Sequence, residues 1–314
     1  MNNLLVSVWM ITYNHEKYIS EAIESVLMQK TDFDYEIIIG EDCSTDNTKA
    51  ILKEYEKKYP HLIKVIYQDH NVGAMRNAFE FTFPRCHGKY IACLEGDDFW
   101  IDPLKLQKQV DFLEQHTEYV LSFHNVLSVN VIDDKRTKRE FEMEVFSKKP
   151  EEIPVGHPSH TSSMVFRNVI RIFPTDIDKL ISGDSYLQFV LARFGKSTFQ
   201  RDIYPNIRRR HPQSIWSYKT QEYKIEQGII LYEKLLEIAI SKEELVYLNR
   251  LLIKNRILYF LFLFNNHKKK KSLTYFKETL IAAWSNKLLM FFILFNLIQL
   301  PPLSGIYKYF KRTE

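Results

Sequence analysis

Several acidic residues in this 314-residue chain stand where carboxylates would have something to bind. Glu41-Asp42 follows one apolar run, Glu95-Gly96-Asp97-Asp98 follows another, and Asp184 lies between Gly183 and Ser185 in the second half. Carboxylates grouped this closely repel one another unless a cation sits among them, and burying them unpaired is costly. Hard oxygen ligands favour magnesium or manganese, and both ions commonly share their coordination with substrate phosphates. A basic stretch, Arg208-Arg209-Arg210-His211, precedes Ser214-Ile215-Trp216, and His160-Thr161-Ser162-Ser163 is a polar segment entering an apolar one. Each feature also has an ordinary structural explanation. An Asp-Asp pair can be solvated surface, Asp102-Pro103 can begin a helix, and Asp42 can cap the helix after Ser44. Asp184 can favour a helix N-terminus electrostatically, and the arginines can be a solvated charge run.

The elements that must position these groups follow from hydrophobic periodicity. Residues 4–12, 35–40, 63–67, 90–94 and 120–129 read as strands. Between them, 16–29 carries Ile19, Ile23, Val26 and Leu27 at helical spacing. A helix capped by Ser44 or Thr45 runs to Tyr59, before Pro60. Residues 74–83 form a helix ending at Pro84, and Pro103 opens another that reaches Gln115. This alternation predicts βαβ units and a mainly parallel α/β sheet flanked by helices. In such sheets ligands bind beyond the carboxyl ends of the strands, where Glu41-Asp42 and Glu95 to Asp98 fall. Residues 133–149 are charged and read as a mobile loop or a hairpin. Residues 162–166 and 197–208 look like strands, with a helix near 185–194 between them. From about Thr220 the chain reads as helices.

The net charge of +4 is unevenly distributed. Residues 251–314 carry 11 Lys/Arg against 2 Asp/Glu, so the rest is mildly acidic. An acidic body argues against nucleic-acid binding. The basic tail is a candidate for an anionic surface: Lys268 to Lys271 form a run, and 288–300 is apolar but shorter than the ~20 residues of a spanning helix. The cysteines, Cys43, Cys86 and Cys93, are odd in number and match no zinc or disulfide spacing, which predicts reduced thiols in a cytosolic setting. The N-terminus lacks the basic flank and apolar core of a signal peptide.

The segments VSVWMITYNHEKYISEAIESVLMQ, YEIIIGEDCSTDNT, NVGAMRNAFEF and YIACLEGDDFWIDPLKL occur in this order. Together they resemble the inverting glycosyltransferases of family 2, which have the GT-A fold. The resemblance is strong over 4–123 and continues to about Trp216. It implies a GT-A domain over 1–218, with a nucleotide-sugar half at about 1–130 and an acceptor half at about 131–218, followed by a helical extension over 219–314. By position, Thr12, Tyr13 and Glu16 would line the nucleotide pocket and Asp42 would contact the base. Glu95-Gly96-Asp97 matches the family's acidic triplet, usually Asp-x-Asp. Asp97 would ligate Mn2+ or Mg2+, Glu95 would bind ribose or metal-bound water, and Asp98 would support the loop. Asp184 would be the catalytic base, and His211 would lie near the diphosphate. His160 to Ser163 would lie near the acceptor. Cys43 stands where the family often has glycine, and Glu95 replaces the usual first Asp.

The resemblance implies single in-line transfer of a sugar from a nucleotide-diphosphate donor to a glycan or lipid-linked glycan, in surface polysaccharide assembly. The basic, apolar tail would either hold the enzyme at the cytoplasmic membrane face or pack as a core or dimer-forming helix against the body. Two other functions remain open. One is a sugar-phosphate nucleotidyltransferase, although Tyr13-Asn14-His15-Glu16 replaces the Gly-rich basic loop expected there. The other is a non-catalytic nucleotide-sugar-binding scaffold.

Overall fold

The computed structural model describes residues 4–131, 136–139, 145–146, 159–171, 173, 177–180, 182–212, 214 and 219–284. The chain falls into two compact units, Met1–Tyr218 and Lys219–Glu314.

The first unit opens with strand β1 (Leu4–Thr12), helix α1 (Ile19–Leu27), β2 (Asp34–Glu41), α2 (Thr48–Lys58) and β3 (Ile63–Tyr67). A short helix α3 (Ala74–Arg76) passes without a break into a π-helical turn, Asn77–Thr82, and a 3-10 turn, Phe83–Arg85. Then come β4 (Tyr90–Glu95), α4 (Lys105–Gln115), β5 (Tyr119–His124), β6 (Val126–Asn130), β7 (Arg136–Arg139) and β8 (Val145–Phe146). A 3-10 turn, Thr161–Ser163, leads into β9 (Val165–Arg167), followed by α5 (Gly183–Leu191), β10 (Lys196–Gln200) and β11 (Asn206–Arg210).

Among the described residues, eight strands form one sheet in the order β3-β2-β1-β4-β9-β5-β10-β8, and three form another, β11-β6-β7. β1 to β4 run parallel, β9 is antiparallel to β4 and β5, and β10 is parallel to β5. The expected mainly parallel sheet is therefore present. Its core forms where Val6, Val8 and Met10 of β1 meet Ile19, Ile23 and Val26 of α1 and Leu106, Val110 and Leu113 of α4. Trp9 points to the opposite face, edge-on to Phe79 and Phe83 at centroid distances of 5.2 and 5.1 Å. Both faces of β1 are covered, which is why it reads as a continuous apolar run.

Several expected elements differ in extent. The strand expected over 120–129 is two strands, because the chain leaves one sheet at Asn125 and joins the other. The strand expected over 197–208 divides in the same way, so β10 pairs with β5 while β11 pairs with β6. Periodicity marks strand character but carries no sign of which sheet a strand joins. Within 133–149, β7 pairs with β6 and β8 with β10, while the remainder lies outside the described residues. Helix α2 starts at Thr48 rather than after Ser44, because the residues before it are engaged elsewhere. Ser44 Oγ accepts the Asn14 amide at 3.0 Å, and the Thr45 amide donates to Asn14 Oδ1 at 2.8 Å. Asp46 accepts the amides of Glu16 and Thr48 at 3.0 and 2.9 Å. The β1–α1 and β2–α2 loops are thereby joined.

The second unit contains α6 (Gln221–Glu237), α7 (Lys242–Asn265) and α8 (Lys269–Trp284). Ser241 Oγ accepts the Glu244 amide at 3.0 Å while Glu244 accepts the Ile240 amide at 2.9 Å, a reciprocal cap that starts α7. The basic run is partly neutralised. Lys268 pairs with Glu222, and Lys271 pairs with Glu222 at 3.0 Å and Glu226 at 3.8 Å. No helix among the described residues is long and apolar enough to cross a membrane. The apolar run at 288–300 lies outside them.

Candidate active site

The parallel register brings Thr12 of β1, Glu41 of β2 and Glu95 of β4 to one end of the sheet. Beyond Glu95 the chain turns sharply, and Gly96 is what lets it do so against β1. A Cβ on Gly96 would stand 2.7 Å from Thr12 Oγ1 and 3.0 Å from His15 Nδ1. This turn aims Asp97 at the β1–α1 loop. Asp97 Oδ2 lies 2.9 Å from His211 Nε2 and 4.0 Å from His15 Nε2. His15 Nδ1 is 3.2 Å from Thr12 Oγ1, and the Tyr18 ring lies 5.0 Å from that of His211. Burial by itself would raise the Asp97 pKa, but His15 and His211 outweigh it and hold the carboxyl below its ordinary value. Burial, the stronger influence at His15, keeps that imidazole below its usual pKa although the Asp97 charge opposes it.

Glu95 and Asp98 are displaced the other way. Burial is the largest cause for both, and the Asp97 charge adds to it. Asp98 Oδ1 accepts the Arg209 amide at 2.9 Å, and Asp98 Oδ2 lies 3.8 Å from His160 Nδ1. Glu95 bonds to the Thr161 hydroxyl, and its Oε2 is buried with no hydrogen-bond partner. The Arg208 charge favours the ionised forms of Glu95, Asp98 and Asp184 alike, so it faces all of them.

β11 supplies the opposing charge because Phe99 and Ile207 exchange backbone hydrogen bonds at 3.1 and 2.9 Å. Arg209 then spans the site's rim. Its guanidinium donates to Asp97 O at 2.7 Å, pairs with Glu21, and lies over the Phe99 ring at 4.4 Å.

Asp184 sits in the first turn of α5 and accepts the Ser185 amide at 2.7 Å. Burial raises its pKa in spite of that bond and of Arg208. It lies within electrostatic range of Glu95. Close packing sets the helix position, since a Cβ on Gly183 would meet Met75 Sδ at 2.9 Å.

The residues expected to line a donor pocket are arranged differently from one another. Thr12 is buried beneath Gly96, and Tyr13 is 40% exposed. The Glu16 carboxylate caps α2, accepting the Asn47 amide and Nδ2, each at 3.0 Å. Asp42 is buried and holds the loop before α3 through the Val72 and Gly73 amides at 2.7 and 3.0 Å. These two carboxylates are therefore engaged with the chain's own backbone. Cys43 has φ +58°, the left-handed conformation in which glycine is at ease, and this accounts for the glycine expected there.

Sequence reasoning gave His15 no role and did not join His160 to Asp98. A histidine inside a turn sequence carries no signal of its own. Its meaning comes from Gly96, whose missing side chain opens the path to Asp97.

Among the described residues, two groups of side chains could hold a cation: His15, Asp97 and His211, and Glu95, Asp98 and His160, with ligand atoms in each group within 4.8 Å of one another. The first combines an anionic carboxylate with two imidazoles, a donor set suited to a divalent transition metal. The buried, unpartnered Glu95 Oε2 beside it is consistent with a site that needs positive charge.

A family profile described as glycosyl transferase family 2 matches residues 7–173, more than half of the chain. The chain belongs to glycosyl transferase family 2. An uncharacterized protein of Mycobacterium tuberculosis is 44% identical over 121 residues, which is 38% of this chain and 35% of the relative. TuaG of Bacillus subtilis, named provisionally as a teichuronic acid biosynthesis glycosyltransferase, is 41% identical over 115 residues, 36% of this chain and 43% of that one. The match thus spans about a third of the first relative's length. The mannosyltransferase PcManGT of Pyrobaculum calidifontis, solved with GDP-Man and Mn2+, superposes with a TM-score of 0.57 at 12% identity, over 98% of this chain and 79% of that one. At that identity the likeness establishes the fold, which is the GT-A architecture.

Proposed function

We propose that this chain is an inverting glycosyltransferase that uses a nucleotide-diphosphate-sugar and a divalent cation, with a glycan or lipid-linked glycan acceptor in surface polysaccharide assembly. The observation that carries this reading is the division of labour among the site's carboxylates. Asp97 is held anionic between two imidazoles, whereas burial raises the pKa of Asp184 above its ordinary value and so makes it a stronger base. Asp97, His15 and His211 would hold the cation, and the imidazoles favour manganese over magnesium, which prefers oxygen. Bound there, the ion would offset the charge of the departing diphosphate. The acceptor oxygen bonds to the anomeric carbon as the bond from that carbon to the diphosphate oxygen breaks. Asp184 takes the hydroxyl proton, and the electron pair leaves with the diphosphate. Attack opposite the leaving group inverts the centre, so an α-linked donor gives a β-linked product. Thr12 and Tyr13 line the nucleotide side, with Glu16 and Asp42 fixing its walls.

The names of TuaG and PcManGT support the substrate class. The tail, from about Lys268 to Arg312, is the part we assign to a membrane surface, although Lys268 and Lys271 contribute less than their charge suggests because Glu222 pairs with both. The test is a thermal-shift screen of nucleoside diphosphates and their sugars with and without manganese, followed by a turnover assay. Release of nucleoside diphosphate supports the reading. Formation of pyrophosphate from nucleoside triphosphate and sugar phosphate would identify a nucleotidyltransferase, and binding without turnover would identify a scaffold.

A further inference from the structure

Helix α4 carries two polar side chains into the core. Lys105 and Gln109 are each 0% exposed, an unusual choice for a buried helix face unless they hold something in place. Lys105 Nζ donates to Gln109 Oε1 at 2.7 Å and lies 4.2 Å from the centroid of the Trp100 ring. Ser122 O and Ser163 O can only accept, so the Gln109 amide turns Nε2 to them and Oε1 to Lys105. Gln109 Nε2 is thereby directed the other way, to Ser122 O at 3.0 Å, Ser122 Oγ at 3.2 Å and Ser163 O at 3.1 Å. Trp100 Nε1 donates to the adjacent carbonyl, Ser162 O, at 2.9 Å, and Asn206 Nδ2 donates to the same oxygen. Two consecutive carbonyls of the Thr161–Ser163 turn are thus held from behind.

The front of that turn faces the site. Ser162 Oγ is 3.0 Å from His160 Nδ1, Ser163 Oγ donates to His160 O at 2.7 Å, and Thr161 bonds to Glu95. Cys93, Asp102 and His124 are the titratable groups that share the electrostatic surroundings of Lys105.

We propose that Lys105 and Gln109 are positioning residues for the transfer reaction: through Ser163 O they fix the 161–163 turn, and so set His160 against Asp98 and Thr161 against Glu95. The kinetic part rests on the function proposed above, while the structural part does not. Gln109→Glu separates the two roles of the amide, because it keeps an acceptor for Lys105 but removes the donor to Ser163 O. The imidazole 1H–15N spectrum is recorded for wild type and variant, with His160 assigned by its loss in His160→Gln. Nucleoside diphosphate release from UDP- and GDP-sugars is measured beside the affinity for UDP and GDP with manganese.

The expected result is a shifted His160 signal and turnover lowered about tenfold, with nucleotide affinity within about threefold of wild type. If Gln109→Glu does not fold, Lys105→Met, which removes the donor to Gln109 Oε1 in a side chain of similar length, is read in the same way. An unmoved His160 signal in the folded variant overturns the proposal, and so does a moved signal with unchanged turnover. If wild type turns over no donor, the proposed function fails, and the His160 signal alone decides the positioning.

Discussion

At the scale of single residues, the site separates groups by the company they keep. Asp97→Asn removes the charge that His15 and His211 stabilise, but it also relieves repulsion with Glu95 and Asp98. Turnover should be lost while stability changes by less than about 1 kcal/mol, as checked by thermal unfolding and nucleoside diphosphate release. Asp184→Asn should instead leave nucleotide-sugar affinity intact and lower turnover at least about a hundredfold. A variant that loses affinity but keeps turnover would move Asp184 to the donor site.

Glu95 gives a pH signature. Its folded pKa is raised to about 8 from an ordinary 4.5, first by burial and then by Asp97. Between those values the folded state binds more protons than the unfolded one, so this group's contribution to stability falls as pH rises. In chelator, the melting temperature of Glu95→Gln should therefore gain on wild type from about pH 5 to about pH 8. A constant difference across that range would remove Glu95 as the source. The clustered carboxylates were legible in the sequence because like charges after an apolar strand demand an explanation. His15 and His160 were not, because each depends on a neighbour that only folding supplies.

At the scale of elements, β1 to β4 and their helices were legible because buried parallel strands and amphipathic helices have distinct periods. The breaks at Asn125 and between β10 and β11 were not, since both halves of each segment are strand-like. The start of α2 was also misplaced, because Ser44 and Thr45 bond to the β1–α1 loop and Asp46 is shared between that loop and Thr48. β11 depends on long-range ties, and Arg209 joins it to Asp97 O, Glu21 and Phe99. Glu21 is half exposed, so its ion pair contributes little. The bond to Asp97 O and the Phe99 ring contribute more. Arg209→Met should cost about 1–2 kcal/mol and speed amide exchange at Ile207 and Arg209, measured by hydrogen exchange. Unchanged exchange there would mean the Phe99–Ile207 backbone pairing suffices.

At the scale of the whole molecule, the charge asymmetry remains the clearest global feature of the sequence. The structure accounts for part of it within the second unit, through Glu222 and Glu226. If the tail binds membrane, the full-length protein should float with anionic liposomes at low salt, and a chain ending near Thr274 should not. Equal behaviour of the two would exclude the tail as an anchor.

The pairing of Arg209 with Glu21 links positions 188 residues apart, and the acidic turn after β4 waits for the same strand. The ribosome therefore delivers Glu95, Asp97 and Asp98 well before Arg208, Arg209 and His211, at roughly 5–20 residues per second. Until β11 emerges, the nascent chain carries a cluster of acids without its protein counter-charges.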